Sequence, residues 1–554
     1  MRLKYRILLH LISIILFISL SLFFFTWIPD DAYISYCYAR NLAAGNGFVF
    51  YPGEKVEGFS NFLWTLYLGG ASSIGADIVR TAVITSLLFA LGALFLMQWL
   101  IRATCLYTGV ETIPTPIELA AVTIPAVFFP LIFYATSGLE TSAALFFLVL
   151  GVLLHLEAKV NRRSSFHVAA LFAFLGVSLL RPEGIIFLLI SALFLLADRR
   201  ALSKRKALLV ALPFVLYAIF VAVKYLYFGS LLPNTYYAKP GASLHYLKPI
   251  PRGFGYLINF FTKSGLVLLL PLAVYSHKRP KAAYAWRYIW SLTLGQLAFI
   301  IFGGGDILRF DRFTLPFFPL LLAATCMAFV ELTRNHELAS QTATELPGNA
   351  AGSNHKMQHG RRSPLHKIIK RTALASLIII CGLNLAQIPI AKGKYRFHDW
   401  MHAHIQKETG VMLAGTLPAH SSIVTNEVGA FAYYSGLAVI DMIGLTDRTI
   451  ARILYESYMT YGVGGSEWSV KEITKYLLSR KPECIVIPAY RPLSLTDIDA
   501  NRDRMHLLWH TILADKTFLD EYRFLTFIEV HAMKYLYIFI AKGITPKTEL
   551  PDPG

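Results

Sequence analysis

Long apolar runs separated by short charged segments dominate the first 390 residues. Because a membrane-spanning helix needs about 20 mostly apolar residues, this pattern predicts eleven spans. The spans lie near residues 7–27, 81–101, 117–136, 139–156, 165–180, 184–197, 206–227, 256–276, 288–303, 313–332 and 372–390. The two short runs within 165–197 leave the count open there. The first run follows basic residues, as in a signal peptide, but its length and the missing A-x-A site favour an uncleaved helix.

The pattern changes after residue 390, where strand-like runs alternate with helical stretches such as Ser466–Ser479. The predicted strands are Ser422–Thr425, Leu437–Met442, Cys484–Pro488, Arg523–Val530 and Tyr535–Ala541. The sequence therefore predicts a polytopic α-helical membrane domain over 1–390 and a compact α/β domain over 391–554.

Composition and charge agree with a membrane protein. The chain is 55% hydrophobic and 16% charged, whereas soluble proteins carry about 25% charged residues. This excludes an ordinary soluble enzyme. Lys and Arg number 52 against 34 Asp and Glu, and the whole excess lies in 1–390. Basic loops between apolar runs indicate membrane topology rather than a nucleic-acid partner.

The positive-inside rule sets the predicted orientation. The N-terminus lies in the cytoplasm, and an odd number of spans places 391–554 on the periplasmic side of the inner membrane. The stretch 338–362 is polar and pattern-free, and 333–366 is then a flexible cytoplasmic linker.

The same orientation gathers nine acidic residues on the outer side, in loops or at span ends. They are Asp30, Asp31, Glu54, Glu57, Asp77, Glu140, Glu183, Asp306 and Asp311, and the basic residues beside them are Arg40, Lys55, Arg181, Lys239, Arg309 and Arg312. Ionisable groups at this depth are costly unless paired or functional. They are either anchoring ion pairs or the walls of a polar, water-accessible cavity, and charges of both signs from several loops favour the cavity.

The first outer loop, 28–61, carries the strongest local signal. Asp30 and Asp31 follow the first span directly, Pro29 ends that helix, and Ala32–Ala44 predicts a short interfacial helix. One aspartate can cap this helix, which leaves the other for chemistry or for a cation.

Carboxylates and cations on the outer face suit sugar transfer from a lipid-linked phosphosugar. A carboxylate takes the proton of the acceptor hydroxyl, and guanidinium groups stabilise the charge on the departing phosphate. A divalent cation is compatible with this chemistry but not required by it. The five cysteines show no metal-ligand spacing, and no metal site is predicted.

The motifs, taken in order, resemble those of bacterial GT-C glycosyltransferases, in particular the mycobacterial terminal β-(1→2)-arabinofuranosyltransferase group and its uncharacterised relatives. The matching segments are Asp30–Tyr36 with Arg40-Asn41-Leu42, Gly45–Phe48, Pro52-Gly53-Glu54, Val56-Glu57-Gly58, Ser137–Thr141, Leu180–Gly184, Tyr227–Lys239, Gly304-Gly305-Asp306, Arg312-Phe313, and Asp441 with Gly444–Asp447. Each segment alone is weak, but the set spans most of the chain.

This resemblance implies a GT-C fold, a polyprenyl-phosphate sugar donor and a periplasmic active site in which Asp30 is the base. Asp31 is the second catalytic candidate. The residues predicted to bind substrate are Arg40, Glu57, Asn61, Glu140, Arg181, Glu183, Asn234, Tyr237, Lys239, Asp306, Arg309 and Arg312. The predicted partners are the donor, a cell-envelope glycan or lipid acceptor, and membrane lipids. The sugar (pentose or hexose), the acceptor and the linkage stay open.

Other interpretations stay open too. Arg181 and Glu183 are compatible with a simple helix-turn ion pair, and the tyrosines of 234–239 with an interfacial aromatic belt. A transporter is the rival class, although outer-end charges without repeated halves disfavour it. A polymerase or ligase acting on lipid-linked oligosaccharide is the third.

Overall fold

The computed structural model of the chain describes residues 3–160, 164–197, 204–239, 249–275, 277–306, 308–345, 364–400, 405–462, 465–489, 491–494, 506–529 and 535–547. The helices of the membrane half are α1 (Leu3–Leu22), α2 (Asp30–Ala43), α3 (Phe62–Ser73), α4 (Ile78–Tyr107), α5 (Thr115–Val127), α6 (Phe129–Tyr134), α7 (Thr141–Val160), α8 (Ser164–Leu180), α9 (Gly184–Ala197), α10 (Lys204–Phe228), α11 (Asn234–Ala238), α12 (Pro249–Ser264), α13 (Leu270–Ala273), α14 (Pro280–Gly303), α15 (Phe318–Glu345) and α16 (Pro364–Trp400). Short 3₁₀ turns occupy Leu266–Leu269 and Arg312–Thr314.

Each of the eleven predicted spans overlaps at least one described helix. By length and composition, five of the described helices can cross a membrane: Lys4–Leu22, Ile78–Tyr107, Thr141–Val160, Leu208–Phe228 and Arg371–Gly393. A sixth span results if a pair of helices bent at residue 265 is counted as one. The chain is therefore a multi-pass membrane protein, while the count of eleven stays a prediction.

Two predicted spans are interrupted in the structure. The run 117–136 divides at Phe128, because Pro130 has no N–H to continue the helical hydrogen bonds. The run 256–276 bends by 89° between Ser264 and Leu266. Gly265 lies at that bend with a φ of +71°, a left-handed conformation that a residue with a side chain rarely adopts.

The predicted cytoplasmic linker 333–366 is partly helical. Residues 333–345 extend α15, because they are rich in helix formers such as Glu, Leu and Ala. Residues 346–363 lie outside the described part of the chain. The next helix, α16, continues to Trp400 and so crosses the predicted domain boundary at 390 without a break.

The C-terminal region is an α/β domain, as predicted. It contains α17 (Lys407–Thr416), β1 (Ser422–Thr425), α18 (Gly429–Ser435), β2 (Ala438–Asp441), α19 (Arg448–Tyr461), α20 (Glu467–Ser479), β3 (Cys484–Ala489), α21 (Leu507–Ala514), α22 (Lys516–Glu521), β4 (Tyr522–Glu529) and β5 (Tyr535–Ala541). The five predicted strands are confirmed to within one or two residues. The predicted helix is α20, with the Ser466 side chain accepting the Ser469 N–H as its N-cap.

The strands form one mixed sheet in the order β2-β1-β3-β5-β4. The pairs β1–β2 and β1–β3 are parallel, whereas β3–β5 and β4–β5 are antiparallel. Alternate residues of β3 face opposite sides: Ile485 and Ile487 pack with α19 to α21, and Cys484 and Val486 pack with α17. The sheet is therefore buried on both faces. All five cysteines of the chain are free thiols.

An apolar cluster joins the membrane half to the C-terminal domain. It combines Ile34 and Tyr38 of α2 with Val428, Ala432 and Val439 of the C-terminal domain. The helix α2 is thus packed between the membrane helices and the C-terminal domain, and both its faces contact protein.

Candidate active site

The aspartate pair lies in the first turn of α2, but neither side chain caps that helix. The N-cap residue is Pro29, so the predicted capping role within α2 is wrong. Instead, the Asp30 carboxylate accepts hydrogen bonds from the Gly429 N–H at 2.9 Å and the Ala430 N–H at 2.8 Å. These amides open α18, and Asp30 therefore attaches the C-terminal domain to α2.

Arg40 makes the matching contact at the other end of α18. Its guanidinium donates to the carbonyls of Tyr433 at 2.6 Å and Ala432 at 3.2 Å, and it stacks over the Tyr433 ring. A carboxylate at the start of α18 and a guanidinium at its end both interact favourably with the helix dipole. We call Asp30 and Arg40 the α18 clamp.

Asp31 points to a different side of α2. It is half-buried and makes no hydrogen bond or ion pair with another described residue. Residues four apart share a helix face, so Asp31 lies on the side of Ser35. The buried Ser35 hydroxyl donates to the Asn61 Oδ1 at 3.1 Å, which begins a polar network.

This network connects α2 with a buried arginine. The Asn61 amide donates to Glu140 Oε2 at 2.9 Å, and Glu140 Oε1 accepts from Arg181 Nη1 at 2.9 Å. The Arg181 Nε donates to Glu183 Oε1 at 2.5 Å. Two carboxylates thus fix the guanidinium in one orientation. Four of the predicted site residues, 61, 140, 181 and 183, are brought together here.

A second arginine lies beside Arg181. Arg312 forms a two-point ion pair with Asp306, with Nε–Oδ2 at 2.8 Å and Nη2–Oδ1 at 3.2 Å. The guanidinium carbons of Arg181 and Arg312 lie 5.1 and 5.4 Å from the centre of the Phe313 ring. Among the described contacts, one terminal nitrogen of each guanidinium stays outside these ion pairs.

Both arginines line one narrow cleft with a free volume of about 10 Å³, which is room for a single water molecule. The other lining residues are Thr141, Ala144, Leu145, Leu148, Val177, Glu183, Phe187, Leu315 and Pro316. Guanidinium groups are strong partners for phosphate oxygens, and the remaining wall is mostly apolar. The chemistry of the lining therefore suits an anion that carries an apolar chain, and the cleft must widen to admit one.

The loop before α15 supplies further polar groups. The exposed Arg309 is positioned through its carbonyl, which accepts a hydrogen bond from the Tyr134 hydroxyl. Burial raises the pKa of the Asp311 carboxyl to about 6, an effect that Lys263 opposes and Asp306 reinforces. Residues 306, 309 and 312 thus lie in one loop, and of these Arg312 lines the cleft.

Another group of predicted residues surrounds a separate pocket of about 100 Å³, which shares no lining residue with the cleft. Glu57 forms an ion pair with Lys224 at 3.0 Å. Burial raises the pKa of the Glu57 carboxyl to about 7, and the Lys224 ammonium works against this rise. Tyr237 lines this pocket, and Lys239 is half-buried just after α11.

Asn234 anchors this pocket to the C-terminal domain. Its side-chain amide donates to the carbonyls of Gly444, Leu445 and Asp447 at 2.7 to 3.2 Å. That loop is itself organised by the buried Asp441, whose carboxylate accepts three backbone N–H groups and one hydroxyl. The match of 441–447 to the family motif therefore has a structural basis.

Three contributors were missed from the sequence. Lys224 lies inside a predicted span, where a lone lysine is itself a functional signal. Arg448 directly follows the 441–447 motif. Phe313 appeared in a motif, but its contact with both guanidiniums depends on tertiary packing. Within the described residues, no group of three or more His, Cys, Asp and Glu side chains is arranged to hold a metal ion.

Comparisons with known proteins agree with the motifs. A family model described as a domain of unknown function, DUF8728, matches residues 391–536. The chain is 31% identical over 262 residues to the terminal β-(1→2)-arabinofuranosyltransferase of Mycobacterium tuberculosis (strain ATCC 25618 / H37Rv). That match covers 45% of this chain and 40% of the curated relative, so it spans less than half of either protein.

Two crystal structures of ArnT from Cupriavidus metallidurans are also similar. The structure bound to undecaprenyl phosphate matches with a TM-score of 0.49 and 13% identity over 97% of this chain and 98% of that chain. The apo structure matches with a TM-score of 0.44 and 15% identity over 95% and 97%. The predicted resemblance to the mycobacterial terminal arabinofuranosyltransferase group is confirmed by the sequence match.

Proposed function

We propose that the chain is a GT-C membrane glycosyltransferase of the bacterial inner membrane. It moves a sugar from a polyprenyl-phosphate donor to a cell-envelope glycan or lipid acceptor on the periplasmic side. The observation that carries this proposal is the pair Arg181 and Arg312, which carboxylates hold in a cleft with mostly apolar walls. The sequence similarity to a glycosyltransferase supports it.

The donor phosphate binds between the two guanidiniums, and the first isoprene units lie along the apolar wall. Because Glu140, Glu183 and Asp306 already orient the arginines, little reorganisation is needed as charge develops on the leaving phosphate. A metal ion is compatible with this arrangement but not required.

We assign the role of base to Asp31. The family resemblance implied Asp30 instead. Asp30 is engaged with two amides of α18, whereas Asp31 shares a helix face with the start of the Ser35–Arg181 network. Asp31 takes the proton of the acceptor hydroxyl while the oxygen of that hydroxyl bonds to the anomeric carbon of the donor sugar. The bond from that carbon to the phosphate oxygen breaks, and its electron pair leaves with the polyprenyl phosphate.

The test is transfer by the purified full-length protein in nanodiscs, supplied with labelled polyprenyl-phosphate sugars and an envelope-derived acceptor. Arg181→Lys and Arg312→Lys should each lower kcat/KM for the donor by about tenfold or more, because lysine cannot make the forked contact. The exposed Arg287, changed to Lys, is the matched control. Donor kinetics that are equal in all three variants would refute the phosphate site.

The same assay separates the alternatives. Turnover only with a diphosphate-linked oligosaccharide would identify a polymerase or ligase. Movement of the lipid-linked sugar between leaflets without a glycosylated product would identify a transporter.

A further inference from the structure

Two surface hollows lie one after the other along helix α19 of the C-terminal domain. The first is the pocket of about 100 Å³, which Arg448 and Arg452 line together with Glu57 and Tyr237. The second is a wider groove of about 430 Å³. It is lined by Tyr455, Glu456, Met459, Thr460, Tyr461 and Trp468.

Aromatic rings connect the two hollows. The Tyr455 ring lies 5.4 Å from that of Tyr237 and 6.3 Å from that of Tyr236. Further along, the rings of Tyr461 and Trp468 are 6.3 Å apart. Tyr461 is 55% exposed and Trp468 37% exposed, so large aromatic surfaces lie open on the C-terminal domain.

The side chains between these rings can form hydrogen bonds. Arg452, Glu456 and Thr460 follow one another at intervals of four residues and therefore lie along one side of α19. Aromatic faces with polar groups beside them match a sugar ring, which offers an apolar C–H face and a rim of hydroxyls. A purely apolar partner would leave the arginine and glutamate unpaired.

The length of α19 sets the size of the ligand. Its 14 residues correspond to roughly 20 Å, a distance that several linked sugars span. Arg448 fixes one end to the membrane half, because its guanidinium donates to the carbonyls of Lys55 at 2.9 Å and Phe228 at 2.6 Å. A chain lying along α19 would therefore run toward the outer loop.

We propose that this face of α19 is a binding track for an extended saccharide chain, formed by Arg452, Tyr455, Glu456, Tyr461 and Trp468. The α19 track gives a role to a domain that matches a family of unknown function. That the bound chain is the acceptor rests on the proposed glycosyltransferase activity. The acceptor is then a glycan of several sugars rather than a lone lipid headgroup.

Binding is measured by isothermal titration calorimetry on the full-length protein in nanodiscs. The probes are delipidated oligosaccharides of increasing length, from one sugar to about eight, released from the cell envelope of the source organism. Affinity should rise with length and then level off. Trp468→Ala and Tyr461→Ala should each weaken binding about three- to tenfold, and Trp468→Phe should restore much of it.

Leu519→Ala is the matched control, since Leu519 is 47% exposed in the same domain but outside the track. Arg452→Gln should weaken binding of phosphate- or carboxylate-bearing oligosaccharides more than binding of neutral ones. Equal affinity for all lengths, or alanine variants that bind as the control does, would overturn the track. So would alanine effects that follow the anionic-lipid content of the nanodisc instead of the oligosaccharide, since the face would then contact lipid.

Asp31→Asn separates this inference from the proposed function. It should bind the oligosaccharides normally, because Asp31 belongs to α2 and not to the track. If the wild-type protein binds the oligosaccharides but transfers no sugar from any donor, the track stands. Only its assignment as the acceptor site is then removed.

Discussion

Asp30 and Asp31 offer a matched pair for testing base catalysis, since the same substitution removes the same charge at adjacent positions. An amide has the shape of the carboxylate but cannot take a proton. Asp31→Asn should therefore lower turnover by about 10²-fold or more, the usual range for a general base. This corresponds to about 2.7 kcal/mol of activation free energy. Because Asp31 makes no hydrogen bond or ion pair with a described residue, the thermal stability of this variant should stay near that of the wild type.

Asp30→Asn should show the opposite profile. The carboxylate accepts two N–H groups of α18 at 2.9 and 2.8 Å, and an asparagine can accept only one of them through its single oxygen. Losing one charge-assisted hydrogen bond, at a half-buried position that water can partly reach, costs about 2 kcal/mol. We expect a lower Tm and faster proteolysis of the C-terminal domain, with a smaller loss of turnover.

The assay combines steady-state transfer with thermal unfolding of the same detergent-purified proteins. Glu111→Gln, which removes an exposed carboxylate elsewhere, is the control. If Asp30→Asn loses transfer at unchanged Tm while Asp31→Asn stays active, the base is Asp30. If both stay active, the proposed mechanism is wrong.

Three further predictions concern topology, pH and metal dependence. Reporter fusions after Lys394 and within residues 346–360 should lie on opposite sides of the membrane, and the same side for both would refute the odd span number. Burial raises the pKa of Glu57 from 4.5 to about 7, so the folded state binds that proton more tightly and stability falls as the pH rises through this window. Glu57→Gln should remove this pH dependence, which amounts to at most about 3 kcal/mol of unfolding free energy. The Tm of the variant minus that of the wild type should therefore increase from pH 5 to pH 8. A constant difference would contradict the assignment. Transfer should continue in EDTA because Arg181 and Arg312 supply the positive charge, whereas a loss reversed by Mg²⁺ or Mn²⁺ would assign that charge to a cation.

Local sequence was sufficient for the strands of the C-terminal domain. Segments such as Cys484–Ala489 are short apolar runs bounded by polar residues, and burial on both sheet faces requires that pattern. Local sequence also placed α20, predicted over Ser466–Ser479 and observed over Glu467–Ser479. It failed at Phe128 and Gly265, where an apolar run continues although the helix does not. Hydropathy averages over such breaks, whereas Pro130 and the left-handed Gly265 act at a single residue.

The site could be predicted as a set of residues but not as an arrangement. Outer-side carboxylates and cations were identified because charges beside apolar runs are conspicuous. Their pairing was not, since Asn61, Glu140 and Arg181 are 79 and 41 residues apart and meet only through helix packing. The aspartate pair shows the limit most clearly. Its position suggested a cap for its own helix, whereas Asp30 binds a helix 399 residues further along the chain.

The contact at Gly429 has a consequence for engineering this protein. A Cβ at this position would lie 2.1 Å from the Asp30 carbonyl oxygen, so the two backbones meet too closely for any side chain. Together with the hydrogen bonds of the α18 clamp, this close backbone contact makes the surfaces of α2 and α18 specific for each other. A chimera that grafts the C-terminal domain of a relative onto this membrane half would need to transplant α2 together with it.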